Sequence, residues 1–134
     1  MKSKLSLTVF LCMVASVSFA QFTPEPKTES NFPNTEYLRV QAESIARDID
    51  AKFRLYSTRR NVVKEAVLEF LRTKKHIEPI QYVNRSEFYY RKDRLEIHLR
   101  EKFKEALNEY EMDRLLAMKP AQSEVNHIYY PLFY

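Results

Sequence analysis

The chain has 134 residues, with 22 lysines and arginines against 18 acidic residues, one cysteine, and neither glycine nor tryptophan. Average usage would place about nine glycines in this length, so their absence excludes glycine-dependent phosphate loops, nucleophile elbows and EF-hand loops. The length allows one domain. A glycine-free composition that is 45% apolar and 30% charged favours an all-α fold and does not indicate an enzyme.

The first twenty residues have the features of a cleavable export signal. Two lysines precede an apolar run over residues 5–17, and the small residues Ser18 and Ala20 stand at the −3 and −1 positions of a cleavage point. A membrane anchor needs about 20 apolar residues, which exceeds this run. We therefore expect residues 1–20 to be removed, leaving an exported chain, periplasmic or secreted, without a stable membrane span. Cys12 leaves with the signal, so disulfides are not expected.

A proline-bearing leader comes next, followed by two helical segments. Residues 21–34 carry three of the six prolines and no apolar period, which predicts a flexible leader. Apolar residues then recur at helical spacing over residues 35–56 and 57–75. Ser57 and Thr58 interrupt the pattern with two candidate N-cap residues. The segments are therefore one long helix or two helices that meet at a bend, and the sequence leaves both open.

A third helix is predicted after a connector. Asn84, with Glu87 three residues later, has the pattern of a helix N-cap. The apolar pattern that follows predicts one helix from about residue 86 to residue 118. The predicted fold is an antiparallel helical hairpin or bundle of three to four helices, with one long C-terminal helix, in a helical domain of residues 35–118.

The chain ends in an aromatic tail, residues 119–134, which closes with NHIYYPLFY. An exported protein rarely leaves such a segment bare. The tail either folds back over a groove on its own helices or docks on a partner or on a second copy of the chain. The residues of this tail interface are Ile128, Tyr129, Tyr130, Leu132, Phe133 and Tyr134.

The sequence predicts no catalytic residue, metal or cofactor. His98 and Glu101 share a helix face, but a zinc or di-iron site needs three or four ligands. The best-placed serines, Ser57 and Ser86, are explained as helix caps rather than nucleophiles. We therefore expect a protein without enzymatic activity.

Positive charge is concentrated between residues 52 and 75, where eight cations accompany two acids, whereas residues 105–113 carry four acids and no cation. In one interpretation the acidic segment lies along the basic helix and neutralises it. In the other, a basic and aromatic face attracts flexible or acidic protein clients. The mature chain would have a net charge of only +2, so nucleic acid is not an expected partner. The residues of the client-binding face are Arg54, Arg59, Arg60, Lys64, Phe70, Arg72, Lys74 and Lys75.

The order of elements resembles that of the small periplasmic Spy and CpxP proteins, which carry paired LTxxQ motifs. The second motif position corresponds to residues 107–111, LNEYE, and the first to residues 55–59, LYSTR. The resemblance implies a curved, all-helical, often dimeric cradle that shields unfolded or stress-signalling partners without ATP. The motif-like residues are Leu55, Leu107, Asn108 and Glu111.

The sequence thus predicts an exported helical binding protein, chaperone-like or an envelope-stress adaptor. It would hold flexible protein clients on its basic and aromatic face without ATP, and a homodimer is one expected form. The alternative is a structural or assembly protein of the cell envelope that uses its aromatic tail as a permanent interface.

Overall fold

The computed structural model describes residues 35–134, and the predicted signal and leader lie outside the described residues. Within this part, 76% of the residues are helical and none lies in a strand. The predicted all-α fold is confirmed. The helices are α1 (Glu36–Phe53), α2 (Ser57–Ile77), α3 (Ile80–Val83), α4 (Arg85–Lys104), α5 (Glu109–Ala117) and α6 (Tyr130–Phe133).

Two helices, α1 and α2, cover the first apolar pattern. Arg54 ends α1 in the left-handed conformation, with φ of 53°, and its N–H donates to the carbonyl of Asp50 at 2.7 Å. Glycine commonly takes this position at a helix end. In a chain without glycine an arginine takes it, at a steric cost of about 1–2 kcal/mol. Leu55 is buried in the connection, and α2 begins at Ser57.

Asn84 begins α4 as the sequence predicts. Its side-chain Oδ1 accepts the backbone N–H of Glu87 at 3.1 Å, which satisfies one donor of the first helical turn. The helix begins at Arg85, one residue before the predicted start. The predicted connector before it contains α3, a single turn of four residues.

The prediction of one long C-terminal helix over residues 86–118 is wrong, because α4 and α5 are separate helices. Asn108 and Glu111 form a capping box: Asn108 Oδ1 accepts the N–H of Glu111 at 2.9 Å, and the Glu111 carboxylate accepts the N–H of Asn108 at 2.8 Å. This reciprocal bonding starts a new helix. Arg59 donates to the carbonyl of Ala106, which the interruption leaves outside the helical hydrogen bonds. Ala106 and Leu107 stay buried, so the break keeps the apolar pattern.

Helix α2 is central to the core, because α1, α4 and α6 all contact it. Within residues 35–134, no polar or charged residue is fully buried. The largest fully buried side chains are Tyr129, Phe70, Ile45, Ile49, Leu115, Val63 and Val67.

None of the helices between residues 35 and 134 has both the length and the apolar character required to cross a lipid bilayer.

Candidate functional site

Three cations of the predicted client-binding face form ion pairs or hydrogen bonds with other residues of the same chain. Arg59 donates to the Glu111 carboxylate and to the Ala106 carbonyl. Arg60 pairs with Asp50 at 3.2 Å. Lys64 lies 3.6 Å from a carboxylate oxygen of Glu65 and 4.0 Å from one of Glu43.

The remaining members of that face differ in burial and in their contacts. Phe70, only 2% exposed, is a core residue, which corrects its assignment to a surface. It lies on the buried stripe of α2 with Val63 and Val67. Lys75 pairs with Glu78 at 2.7 Å. Arg54 and Arg72 are exposed and form no ion pair within the described residues.

Lys74 is half-buried, and its ammonium group bonds within the chain. Its Nζ donates to the carbonyl of Pro131 at 2.9 Å and lies 6.0 Å from the centre of the Phe70 ring. Burial lowers the pKa of Lys74, and repulsion from Lys92 lowers it further. The structure therefore does not bring the eight predicted residues together on one surface.

The aromatic tail folds back on the helices of its own chain. Tyr129 is 1% exposed and Leu132 is 4% exposed. The Tyr129 hydroxyl donates to Asp48 on α1, and Lys52 lies 5.4 Å from the centre of the Tyr129 ring. Burial raises the pKa of Tyr129, and the bond to the Asp48 carboxylate raises it further.

The other tail residues form a second set of contacts. The Tyr134 hydroxyl donates to the carbonyl of Pro120 at 3.0 Å, and its ring lies 4.8 Å from that of Tyr130. Lys119 lies over the Tyr134 ring at 4.9 Å and over the Phe133 ring at 5.8 Å. Ile128 remains partly exposed. Of the two interpretations of the tail, the structure places Tyr129 and Leu132 against their own chain.

The motif-like residues lie at the two helix connections. Leu55 is buried between α1 and α2, and Leu107 is buried between α4 and α5. Asn108 and Glu111 form the capping box of α5. Arg59 joins the two connections, since it belongs to the first motif position and bonds to Glu111 of the second.

A second surface of apolar and aromatic residues is exposed, and the sequence did not identify it. Tyr37 on α1 and the neighbouring residues Tyr82 and Val83 on α3 are exposed, and we term them the tyrosine surface. Tyr82 is 84% exposed and Val83 is 89% exposed. Sequence periodicity does not reveal Tyr82 and Val83, because α3 is a single turn, too short to display a helical period.

Lys75 lies near two residues of the tyrosine surface, Tyr37 and Tyr82. Its bond to Glu78 raises the pKa of Lys75, and the phenol oxygens of Tyr37 and Tyr82 lie close enough to raise it further. These two tyrosines, from helices far apart in the sequence, therefore both lie near Lys75. The surface combines phenol rings, an aliphatic side chain and positive charge.

Residues 35–134 contain no group of three or more histidine, cysteine or acidic residues that could hold a metal ion. His98 lies 3.6 Å from Glu69, as an isolated pair. An open groove of about 480 Å³ lies between α2 and the end of α4, with Asn61, Glu65 and Lys102 on its walls. Its polar side chains include no nucleophile next to a histidine.

Comparison with known protein families, curated proteins and solved structures found no match to the chain.

Proposed function

We propose that the chain is an exported helical protein-binding module, of chaperone or stress-adaptor type, that holds flexible segments of client proteins without ATP or a cofactor. The observation that carries the proposal is the exposure of the tyrosine surface. Scattered apolar residues are normal on soluble proteins, whereas grouped ones rimmed by polar residues are typical of binding surfaces. Tyrosine is enriched where proteins bind one another.

The tyrosine surface suits a flexible client better than the cations of α2 do. Arg59, Arg60 and Lys64 already have acidic partners, so a client would have to displace them. Tyr82 and Val83 have no such competition, because their side chains face water. A tyrosine offers a large contact area and loses little rotamer entropy on binding. Lys75 adds attraction for an acidic residue of the client.

The proposed architecture is an antiparallel helical bundle, released by cleavage of the signal over residues 1–20. The ion pairs Asp50–Arg60 and Glu43–Lys64 support antiparallel packing of α1 and α2, because residues later in α1 meet residues earlier in α2. The resemblance to the Spy and CpxP proteins is part of this proposal, and the all-helical fold is compatible with it.

A structural protein that uses the aromatic tail as a permanent interface would need Tyr129 and Leu132 at its surface. Both are buried on their own chain. We therefore place client binding on the tyrosine surface and not on these side chains.

The proposal is tested with residues 21–134, the form that the predicted cleavage leaves, in an aggregation assay. A chemically denatured, unrelated protein is diluted into buffer with a near-equimolar amount of this chain and no nucleotide. We expect the wild-type chain to suppress light scattering. The Tyr37→Ser/Tyr82→Ser/Val83→Ser variant should lose about tenfold or more in potency, since removal of each interface hot spot costs more than about 1 kcal/mol of binding free energy.

The matched control is the Tyr56→Ser/Tyr110→Ser variant, which removes two exposed tyrosines at the two helix connections. It should retain the wild-type potency. An inert wild-type chain, or equal losses in both variants, would contradict the proposed function. A second measurement at high ionic strength shows which surface binds the client. Binding by the α2 cations would weaken strongly with salt, whereas binding by the tyrosine surface would weaken only slightly.

A further inference from the structure

The aromatic tail lies in a groove framed by four helices. Tyr129 reaches α1 through Asp48, and Pro131 reaches α2 through Lys74. Leu132 packs among side chains of α4 and α5, Leu99, Phe103, Met112 and Leu115 among them. We call this the tail groove. α1 and α4 pack on α2, and α5 packs on α4, so these walls have core contacts besides those with the tail.

The bonds in the tail groove recognise particular chemistry. Asp48 accepts the Tyr129 hydroxyl while it also pairs with Lys52, and the Lys52 ammonium lies over the same ring. Lys74 donates to a main-chain carbonyl, which any peptide can supply. The groove thus selects a phenol, a carbonyl oxygen and a large apolar side chain within one helical turn.

The tail fills this groove incompletely, and the linker that leads to it lies at the surface. A cavity of about 40 Å³ remains beside Leu132 and Phe133, enough for at least one water molecule. The linker over residues 121–128 is exposed along its whole length. The contacts that keep the tail in the groove therefore come from the few residues from Tyr129 onward.

We propose that the tail groove is a second client-binding site and that the aromatic tail is its internal competitor. The partner is a flexible segment of a client protein with a tyrosine and, about three residues later, a leucine or phenylalanine. The tyrosine would bond to Asp48, a carbonyl to Lys74, and the apolar side chain would enter the space of Leu132. The inference rests on the proposed function and adds regulation to it.

The tail competes with a strong advantage, because a short linker within the same chain gives it an effective concentration of millimolar order. A client must therefore bind when the tail is transiently out of the groove, and its apparent affinity falls in proportion to that open fraction. Clients that are also held on the tyrosine surface gain the same tethering advantage. The tail thereby limits binding in the groove to clients that the tyrosine surface already holds.

The first experiment measures binding of a fluorescein-labelled peptide of residues 119–134 to the chain by fluorescence anisotropy. In the Tyr129→Ala variant the tail loses its anchor and the groove keeps all its walls, so we expect the peptide to bind about tenfold or more tightly than to the wild type. Adding Asp48→Ala to that variant should remove the gain. Equal affinity for the wild type and Tyr129→Ala would overturn the proposal.

Two further variants keep this test decisive. If Tyr129→Ala proves unfolded by circular dichroism, Tyr129→Phe removes only the hydroxyl and should show a smaller gain of the same sign. A peptide with alanine in place of its own tyrosine at position 129 should bind Tyr129→Ala more weakly than the unaltered peptide. Equal binding of the two peptides would overturn the assigned chemistry.

The second experiment repeats the aggregation assay with Tyr129→Ala, where we expect more client to be held per chain than by the wild type. Peptide binding without this gain would mean that the groove serves only its own tail. A concentration-dependent dimer of the wild-type chain in sedimentation, dissociated by the peptide, would mean exchange of tails between copies. Either result overturns the proposal.

The two proposals can fail separately. If Tyr129→Ala gains client holding while the Tyr37→Ser/Tyr82→Ser/Val83→Ser variant loses none, the proposed role of the tyrosine surface fails and the tail groove stands. If the tyrosine-surface variant loses client holding while Tyr129→Ala gains none, the tail-groove proposal fails and the proposed function stands.

Discussion

Two one-turn helices of similar composition have opposite surroundings. Helix α3, IQYV, exposes Tyr82 and Val83, whereas α6, YPLF, buries Leu132 and follows the buried Tyr129. Both contain a tyrosine and two large apolar residues. Composition therefore does not decide their burial.

The difference comes from what each short helix meets. A tyrosine next to α6 finds an acceptor in Asp48, and Leu132 finds an apolar pocket. Helix α3 connects α2 and α4 and directs only Ile80 toward the core. Since nothing in the described chain covers Tyr82 and Val83, these two are available to a partner, and the tail is available only when it leaves its groove.

The largest expected effect separates the two regions by stability. Tyr129→Ala should lower the free energy of unfolding by about 3–5 kcal/mol, as for other buried aromatic residues replaced by alanine. Tyr90→Ala, at an exposed tyrosine of α4, should stay within about 0.5 kcal/mol of the wild type. Urea unfolding followed by circular dichroism measures both. Similar values for the two variants would show that the tail is not seated in the core.

A smaller effect isolates the polar anchor of the tail. Tyr129→Phe should cost about 1.5 kcal/mol, the low end for hydrogen bonds to charged groups, because Asp48 keeps Lys52 as a partner. The loss is read from the shift in the urea midpoint, with an unchanged slope. Tyr130→Phe is the control, since its ring contact with Tyr134 needs no hydroxyl. Equal shifts would contradict the anchoring role.

The same anchor predicts a pH dependence. Burial alone would raise the pKa of Asp48, but hydrogen bonds from Lys52 and Tyr129 outweigh it and hold the pKa below its ordinary value. Asp48 therefore stabilises the fold above its ordinary pKa of about 3.9, and this contribution is lost as the pH falls through the lowered value. The stability difference between the wild type and Asp48→Asn should shrink over that acidic range. A constant difference would contradict the shift.

The regular parts of the fold were predictable because periodicity reports burial directly. Leu38, Ala42, Ile45 and Ile49 recur at helical spacing and are all buried on α1. The break before α5 is not predictable from periodicity, because two signals conflict at one place. The apolar pattern continues through Leu107, while the capping box of Asn108 and Glu111 starts a new helix.

The site was less predictable because its contacts are non-local. Arg59 and Glu111 are 52 residues apart, and Lys74 and Pro131 are 57 apart. Counting charges along the chain reveals an excess but not which cations have partners. The internal neutralisation that the sequence left open is seen at Arg59.

Asn108→Ala should affect only the region of the tail. Loss of an N-cap asparagine costs about 1 kcal/mol, and it loosens the start of α5, which supplies Met112 and Leu115 to the tail groove. Asn61→Ala, at an exposed asparagine inside α2, is the control and should cost nothing. Hydrogen exchange should show faster exchange in α5 and the tail, with no change around Tyr82. A uniform increase along the chain would contradict this local role.

The smallest effect lies within α3 and tests the exposed side of the comparison. Val83→Ser should change the free energy of unfolding by less than about 0.5 kcal/mol, because the side chain already faces water in the folded state. Ile80→Ser, three residues earlier and packed against the core, should cost clearly more, since it buries a hydroxyl in place of apolar surface. Thermal unfolding of both variants measures the contrast. A large loss for Val83→Ser would mean that this side chain is covered in solution, and the tyrosine surface would then be an internal contact and not a site for clients.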